Sequence, residues 1–230
     1  MSLLVDTQDG ILQITLSRPE RLNALTLAMT RELVETVKAG MHDRGVRALL
    51  LQGAGRGFCA GKDRDDPPTP RFVDSLQALA RTLMNGPKPV VAAVHGWAVG
   101  AGVEMLLNCD VVVAARSARF MLPEINVGLF GTGGVAALLP RHVGLARAKG
   151  ALMFGEEFSA VQAEQWGLVW ALVDDAAVHA EGRRLAQMLA AKDPQIMGRL
   201  KSLLHEEIVG DLGAVLARET RVQDELLREA

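Results

Sequence analysis

The 230-residue chain has no tyrosine and only nine other aromatic residues, six phenylalanines and three tryptophans. No Lys/Arg cluster is interleaved with these rings, and the formal net charge is -2. A nucleic-acid backbone or an anionic membrane surface is therefore not an expected partner. Cysteine is scarce as well: Cys59 and Cys109 stand far apart, and neither belongs to a C-x-x-C pair. That argues against a disulfide framework or a zinc site, and leaves two reduced thiols in a cytoplasmic protein as the expectation. Met1-Ser2-Leu3-Leu4-Val5-Asp6 lacks the basic and apolar regions of a signal peptide. The one long apolar run, Pro89 to Cys109, is broken by Gly96, Gly100, Gly102, His95 and Glu104 and is followed by Asp110. A buried strand, loop and helix fits it better than a membrane span. There is no Walker spacing and no G-x-G-x-x-G, so a nucleotide-phosphate cradle fits poorly.

The pattern that is present is α/β. An Asp9-Gly10 turn joins Leu3–Thr7 to Ile11–Leu16 as a hairpin. Thr26 caps a helix whose Met29, Leu33, Val37 and Met41 recur every fourth residue. Arg47–Gln52, Val90–Val94, Val111–Ala115 and Val169–Val173 read as strands covered on both sides. Phe72, Leu76, Leu79 and Leu83 mark one face of a second helix, reached through an Asp65–Pro70 loop. Gly100-Ala101-Gly102 opens a third helix ending near Asn108. The last third is helical: about 134–141, 144–154, 159–166, 178–191, 194–207 and 211–229. One core with a helical lid or association region is expected, with no internal repeat.

Glu104 is the only charge in its helix, among Val103, Met105, Leu106 and Leu107. Desolvation there would raise its pKa and suit proton transfer near neutral pH. In a first helical turn it also suits the simpler task of complementing the helix dipole. Glu124 follows Pro123 and precedes the glycine-rich Ile125–Gly134 loop, where either a functional group or a surface charge is at home. Gly57-Phe58-Cys59-Ala60-Gly61 and Gly100-Ala101-Gly102 each follow a strand. Small residues there let a ligand approach backbone N–H groups, and two converging amides would form an oxyanion hole. Tight turns are the alternative. Cys59 reads better as a structural residue than as a thiolate nucleophile. His95 reads as a hydrogen-bonded core histidine, His205-Glu206-Glu207 as a solvated helix face rather than metal ligands, and Ser159 as a helix cap. Trp97 and Phe130 suit either a pocket wall or the core.

In combination and in order, three segments resemble the crotonase superfamily of enoyl-CoA hydratases and isomerases. They are Gly57-Phe58-Cys59-Ala60-Gly61-Lys62-Asp63, Gly96-Trp97-Ala98-Val99-Gly100-Ala101-Gly102-Val103-Glu104, and Pro123-Glu124-Ile125-Asn126-Val127-Gly128-Leu129. Arg18-Pro19-Glu20-Arg21-Leu22-Asn23-Ala24-Leu25, Ser159–Ala163 and Trp166–Val169 extend the likeness to about Ala176. The resemblance implies a superhelix of ββα units over residues 1–176. It implies a helical region at 177–230 that assembles trimers or dimers of trimers and serves as a lid, here expected to be shortened. It further implies an oxyanion hole from the N–H groups of Cys59 and Ala101, and bent CoA near Arg21, Ala24, Ala60, Gly61, Lys62 and Asp63. Glu104 would activate water and Glu124 would handle the proton at Cα. No cofactor is implied beyond the CoA of the substrate, and no metal. Departures from the family pattern include Ala101, Lys62 and Gly131-Thr132. Hydration of a 2-enoyl-CoA is the reading this favours. Double-bond isomerisation and a catalytically silent acyl-CoA-binding protein are the alternatives, with thioester hydrolysis more remote.

Overall fold

Asp9 and Gly10 both hold positive φ, 56° and 75°, the geometry of a two-residue turn whose twist matches its strands. They fold β1 (Leu3–Gln8) antiparallel onto β2 (Ile11–Leu16), pairing Leu3 with Leu16 and Gln8 with Ile11. The computed structural model describes residues 2–66 and 69–229, without the side chains of 207–209, 227 and 229. Two prolines of the expected 65–70 loop, Pro67 and Pro68, thus lie outside the described residues, as does the side chain of Glu207.

The Thr26 hydroxyl accepts from the Met29 amide and starts α1 (Leu27–His42), which buries Met29, Leu33, Val37 and Met41 as its period requires. Next come β3 (Ala48–Gly53), α2 (Pro70–Asn85), β4 (Val90–Val94), β5 (Trp97–Val99) and α3 (Ala101–Leu107). They are followed by β6 (Val111–Ala115), β7 (Arg119–Met121), α4 (Val135–Val143), α5 (Leu145–Phe154) and β8 (Glu157–Ser159). The chain continues through α6 (Ala160–Trp166), β9 (Ala171–Val173), α7 (Val178–Ala190), α8 (Pro194–Val209) and α9 (Leu212–Glu229). The main sheet has the order β1-β2-β3-β4-β6-β9 and is parallel from β2 onward. Its central strands lack polar alternation because both faces are covered, and all of β4 is buried. α7 lies against the sheet through Gly182, where a Cβ would come within 2.7 Å of Ala93 Cβ.

A second sheet, β5-β7-β8, accounts for the repeat: β4-β5-α3 and β6-β7-α4 each run from the large sheet through the small one into a helix. After β3 the same place is taken by Cys59, bridged to Ala98. These three-residue strands were not expected; they are too short to carry a period in the sequence. Because each unit turns between layers at the same end, the segments 57–63, 97–101 and 121–134 meet there. No described helix is long and apolar enough to cross a membrane.

Candidate active site

The loop after β2 and the loop after β3 are stitched together by a few polar groups. Asn23, fully buried and at φ 57°, donates from Nδ2 to the carbonyls of Ala54 (2.9 Å) and Gly57 (2.8 Å). Its neighbour Leu22 is also left-handed, φ 48°, a strained choice for a branched residue that the surrounding bonds enforce. The Ala60 amide donates to Leu22 O, the Leu25 amide to Gly61 O, and the Asp63 amide to Leu25 O. The Arg18 guanidinium donates to Asp63 Oδ2 at 2.8 Å. The Asp65 amide and then Arg18 hold the buried Asp63 carboxyl below the usual carboxylate range. Ala24 is buried within this frame, while Arg21 is largely exposed and pairs with Asp65 at 3.0 Å.

One expectation needs correction. The Cys59 N–H donates to Trp97 O at 3.0 Å and its carbonyl accepts from the Val99 amide, so the bridge to Ala98 consumes both groups. Cys59 therefore offers no amide to a ligand. Burial also pushes its thiol up to about 12, which disfavours a thiolate. The N–H groups of Lys62 and Ala101 are among those here that no backbone carbonyl takes. Lys62 bridges Leu25 only through its flanking residues, and Ala101 opens α3, where the first N–H groups have no intrahelical acceptor. Gly61 brings the two together: a Cβ on it would lie 2.7 Å from Val99 O and 3.6 Å from Ala101 N, and its φ is +84°. The Lys62 ammonium turns along the following segment, donating to the carbonyls of Asp63 and Asp66 and lying 5.4 Å from the Phe72 ring centre.

Glu104 is 2% exposed, so it does not merely complement the dipole at a surface. The loop before α4 is tied to the Glu104 helix by Asn108, whose Nδ2 donates to the carbonyls of Glu104 (2.6 Å) and Gly133 (2.9 Å). The Glu104 carboxylate rests against two glycines: a Cβ on Gly131 would come within 2.4 Å of Oε1, and one on Gly133 within 3.2 Å of Oε2. Burial first, and then the charges of Glu124 and Glu219, hold its pKa well above the usual range. Glu124 opens a 3-10 turn, Glu124–Val127. Its Oε1 lies over Gly100, 2.6 Å from where a Cβ would stand, and burial raises its pKa too. Glu104 Oε1 and Glu124 Oε2 are buried without a hydrogen-bond partner, a costly state that a bound reactant would relieve. Two carboxyl groups able to exchange protons thus stand beside two unpaired amides.

The remaining candidates are structural. His95 lies just past β4, its Nε2 2.9 Å from Gly55 O. His205 Nδ1 meets Met84 O at 2.8 Å. Ser159 caps α6 in a box with Gln162. The sequence reading did not single out Asn23 alone or Glu219. The Arg18–Leu25 motif pointed to the first; nothing local signals the other.

A family description, enoyl-CoA hydratase/isomerase, matches residues 6–230. The chain is 38% identical to an Escherichia coli protein named 1,2-epoxyphenylacetyl-CoA isomerase, over 96% of this chain and 88% of the relative. It is 36% identical to a probable enoyl-CoA hydratase of Rhodobacter capsulatus, over 98% and 89%. The crystal structure of an enoyl-CoA hydratase from Mycobacterium avium subsp. paratuberculosis superimposes with a TM-score of 0.94 at 32% identity, covering 99% of this chain and 94% of that one.

Proposed function

The chain belongs to the enoyl-CoA hydratase/isomerase family, and from that premise we propose that it is an acyl-CoA enzyme adding water reversibly across the double bond of a 2-enoyl-CoA. The observation that carries this is the pair of glutamates, Glu104 buried and Glu124 half-buried, each with a buried unpartnered oxygen, beside two unpaired backbone amides. In this reading Glu104 takes a proton from water as the water oxygen bonds to Cβ. The electrons of the double bond move onto the thioester oxygen, where the N–H groups of Lys62 and Ala101 stabilise the enolate. Glu124 then gives a proton to Cα, and the reverse sequence dehydrates a 3-hydroxyacyl-CoA. A raised pKa suits both groups, since each must hold and release a proton near neutral pH.

The CoA portion would run along Ala60, Gly61, Lys62 and Asp63, with Arg21 and Ala24 beside them. The reaction so written needs no cofactor beyond that CoA. Residues 1–176 supply the catalytic groups in this reading. Residues 177–230 supply association and lid helices, although α7 also covers the sheet. A homotrimer or a dimer of trimers is the proposed assembly.

The relative named as an isomerase supports a second reading, in which the same glutamates shift a proton between carbons without water. One experiment separates the two. Loss of the conjugated thioester absorbance of crotonyl-CoA or a longer analogue, with ¹⁸O from solvent in the product, supports hydration. A shifted double bond without ¹⁸O supports isomerisation, and no turnover across a panel of acyl chains defeats both.

A further inference from the structure

α4 begins at Gly134 without a side-chain cap of its own, and helix starts leave amides in need of acceptors. The acceptor comes from the far end of the chain. Glu219 on α9 takes the Gly134 amide on Oε2 at 2.7 Å and the Ala136 amide on Oε1 at 2.8 Å. One turn on, Gln223 Oε1 accepts the Phe130 amide at 2.7 Å. Both side chains are buried, 2% and 4% exposed. Between these anchors lie Gly131 and Gly133, packed so closely on the Glu104 carboxylate that a Cβ on them would come within 2.4 Å of Oε1 and 3.2 Å of Oε2, respectively. A groove of about 520 Å³, lined by Phe130, Ala136, Ala137, Val215 and Val222 among others, opens between this loop and α9. Leu212 and Leu216 of α9 are buried beside the start of α4, but across the groove the loop is held by hydrogen bonds.

We propose that Glu219 is a positioning residue for the reaction: by fixing the amides of Gly134 and Ala136 it sets the 130–136 loop, and through Gly131 and Gly133, packed on the carboxylate, it sets the orientation of Glu104. The inference rests on Glu104 being the proton acceptor of the proposed reaction. It adds a residue that touches neither substrate nor reacting atoms. The charged groups around Glu219 are Glu104 from α3, Arg218 on its own helix, and Arg141 and Asp211, which line the same groove.

The test compares Glu219→Ala, Glu219→Gln and Thr220→Ala in the full chain. Thr220 ties the same helix to α2, its hydroxyl accepting from Gln77 at 2.7 Å, without touching the loop. Turnover of an enoyl-CoA and hydrogen exchange over residues 130–136 are measured together. Glu219→Ala is expected to lower kcat about 30-fold with KM within about threefold, because a misoriented base costs catalysis more than binding. Exchange over 130–136 should quicken at least about tenfold. Thr220→Ala should leave both readouts as in the parent. A kcat within about threefold of the parent, or unchanged exchange at 132–133, overturns the proposal. Equal losses in Thr220→Ala also overturn it, since they would mark general loosening of α9. Should Glu219→Ala not fold, Glu219→Gln, isosteric and able to accept only one of the two amides, is read by the same criteria. A parent chain without turnover defeats the hydration reading alone, and the exchange at 132–133 then decides this one.

Discussion

Three carboxyl groups share the neighbourhood of the α3 and α4 starts, Glu104 and Glu219 buried and Glu124 half-buried. Glu104→Gln and Glu124→Gln preserve shape while removing proton exchange, so each should lower kcat by about 10²–10⁴ with CoA binding retained. Loss of binding along with turnover would instead make the pair structural. Gly131 tests orientation separately from chemistry. A Cβ there would stand 2.4 Å from Glu104 Oε1 and 2.5 Å from Val135 Cγ1. The carboxylate can yield but the buried, β-branched Val135 is stiff, so Gly131→Ala should lose some stability as well as about 10²-fold in kcat, the cost of a base displaced by about 1 Å. Glu219 makes stability depend on pH. Burial pushes it to about 7 from an ordinary 4.5, so the folded state binds its proton more tightly than the unfolded chain. Its contribution should thus be full at and below about pH 4.5 and be lost as pH rises through about 7, by up to about 3 kcal/mol. Thermal unfolding between pH 5 and 8 should show that fall, and Glu219→Gln should flatten it. An equal slope in the variant would assign the effect elsewhere.

At the scale of elements, α8 is held to the sheet by an ion pair whose Lys201 is buried and whose Asp110 carboxylate reaches solvent. Lys201 Nζ donates to Leu83 O (2.7 Å), Lys88 O (3.0 Å) and Asp110 Oδ2 (2.7 Å), filling all three of its protons. Asp110 Oδ2 also accepts the Val90 amide at 2.7 Å. Lys201→Met keeps the stem but strands two carbonyls, leaving the Asp110 carboxylate to water and the Val90 amide, and should cost about 1–3 kcal/mol in denaturant unfolding. A loss below about 1 kcal/mol would mean water replaces the ammonium readily. Elements of this length are where sequence speaks most clearly. The Asp9-Gly10 hairpin and the stripes of α1 and α2 follow from period and turn chemistry alone. β5, β7 and β8 escape notice because three residues hold barely one period. The same limit explains the oxyanion site. Cys59 and Lys62 lie in one glycine-rich run, and which amide stays free depends on the bridges to Ala98 and Leu25, contacts made by distant segments. Glu219 meets Gly134 across 85 residues, so its role is invisible in a helix that reads only as charged and solvated.

For the whole molecule, the apolar surface left open is the informative quantity. Ile196, Leu200, Leu203 and Leu204 on α8 are 51–68% exposed, and so, elsewhere, are Leu145, Met153, Phe154 and Trp170 at 61–73%. Scattered exposed leucines mean little, but the α8 residues recur at i, i+4, i+7 and i+8 on one helix face, the pattern of an association surface, and the second set offers exposed large side chains on α5 and before β9. The two sets lie on different elements, so a contact joining one set to the other is head-to-tail rather than self-complementary. Such a contact closes into a ring when its rotation divides a full turn, and a threefold ring is the assembly proposed. Sedimentation should accordingly give a particle of three or six chains. Leu200→Glu with Leu203→Glu, and separately Phe154→Glu with Trp170→Glu, should each yield monomers, because a head-to-tail ring uses both surfaces at every joint. A stable dimer surviving either pair of changes would point to a self-complementary contact and defeat the ring.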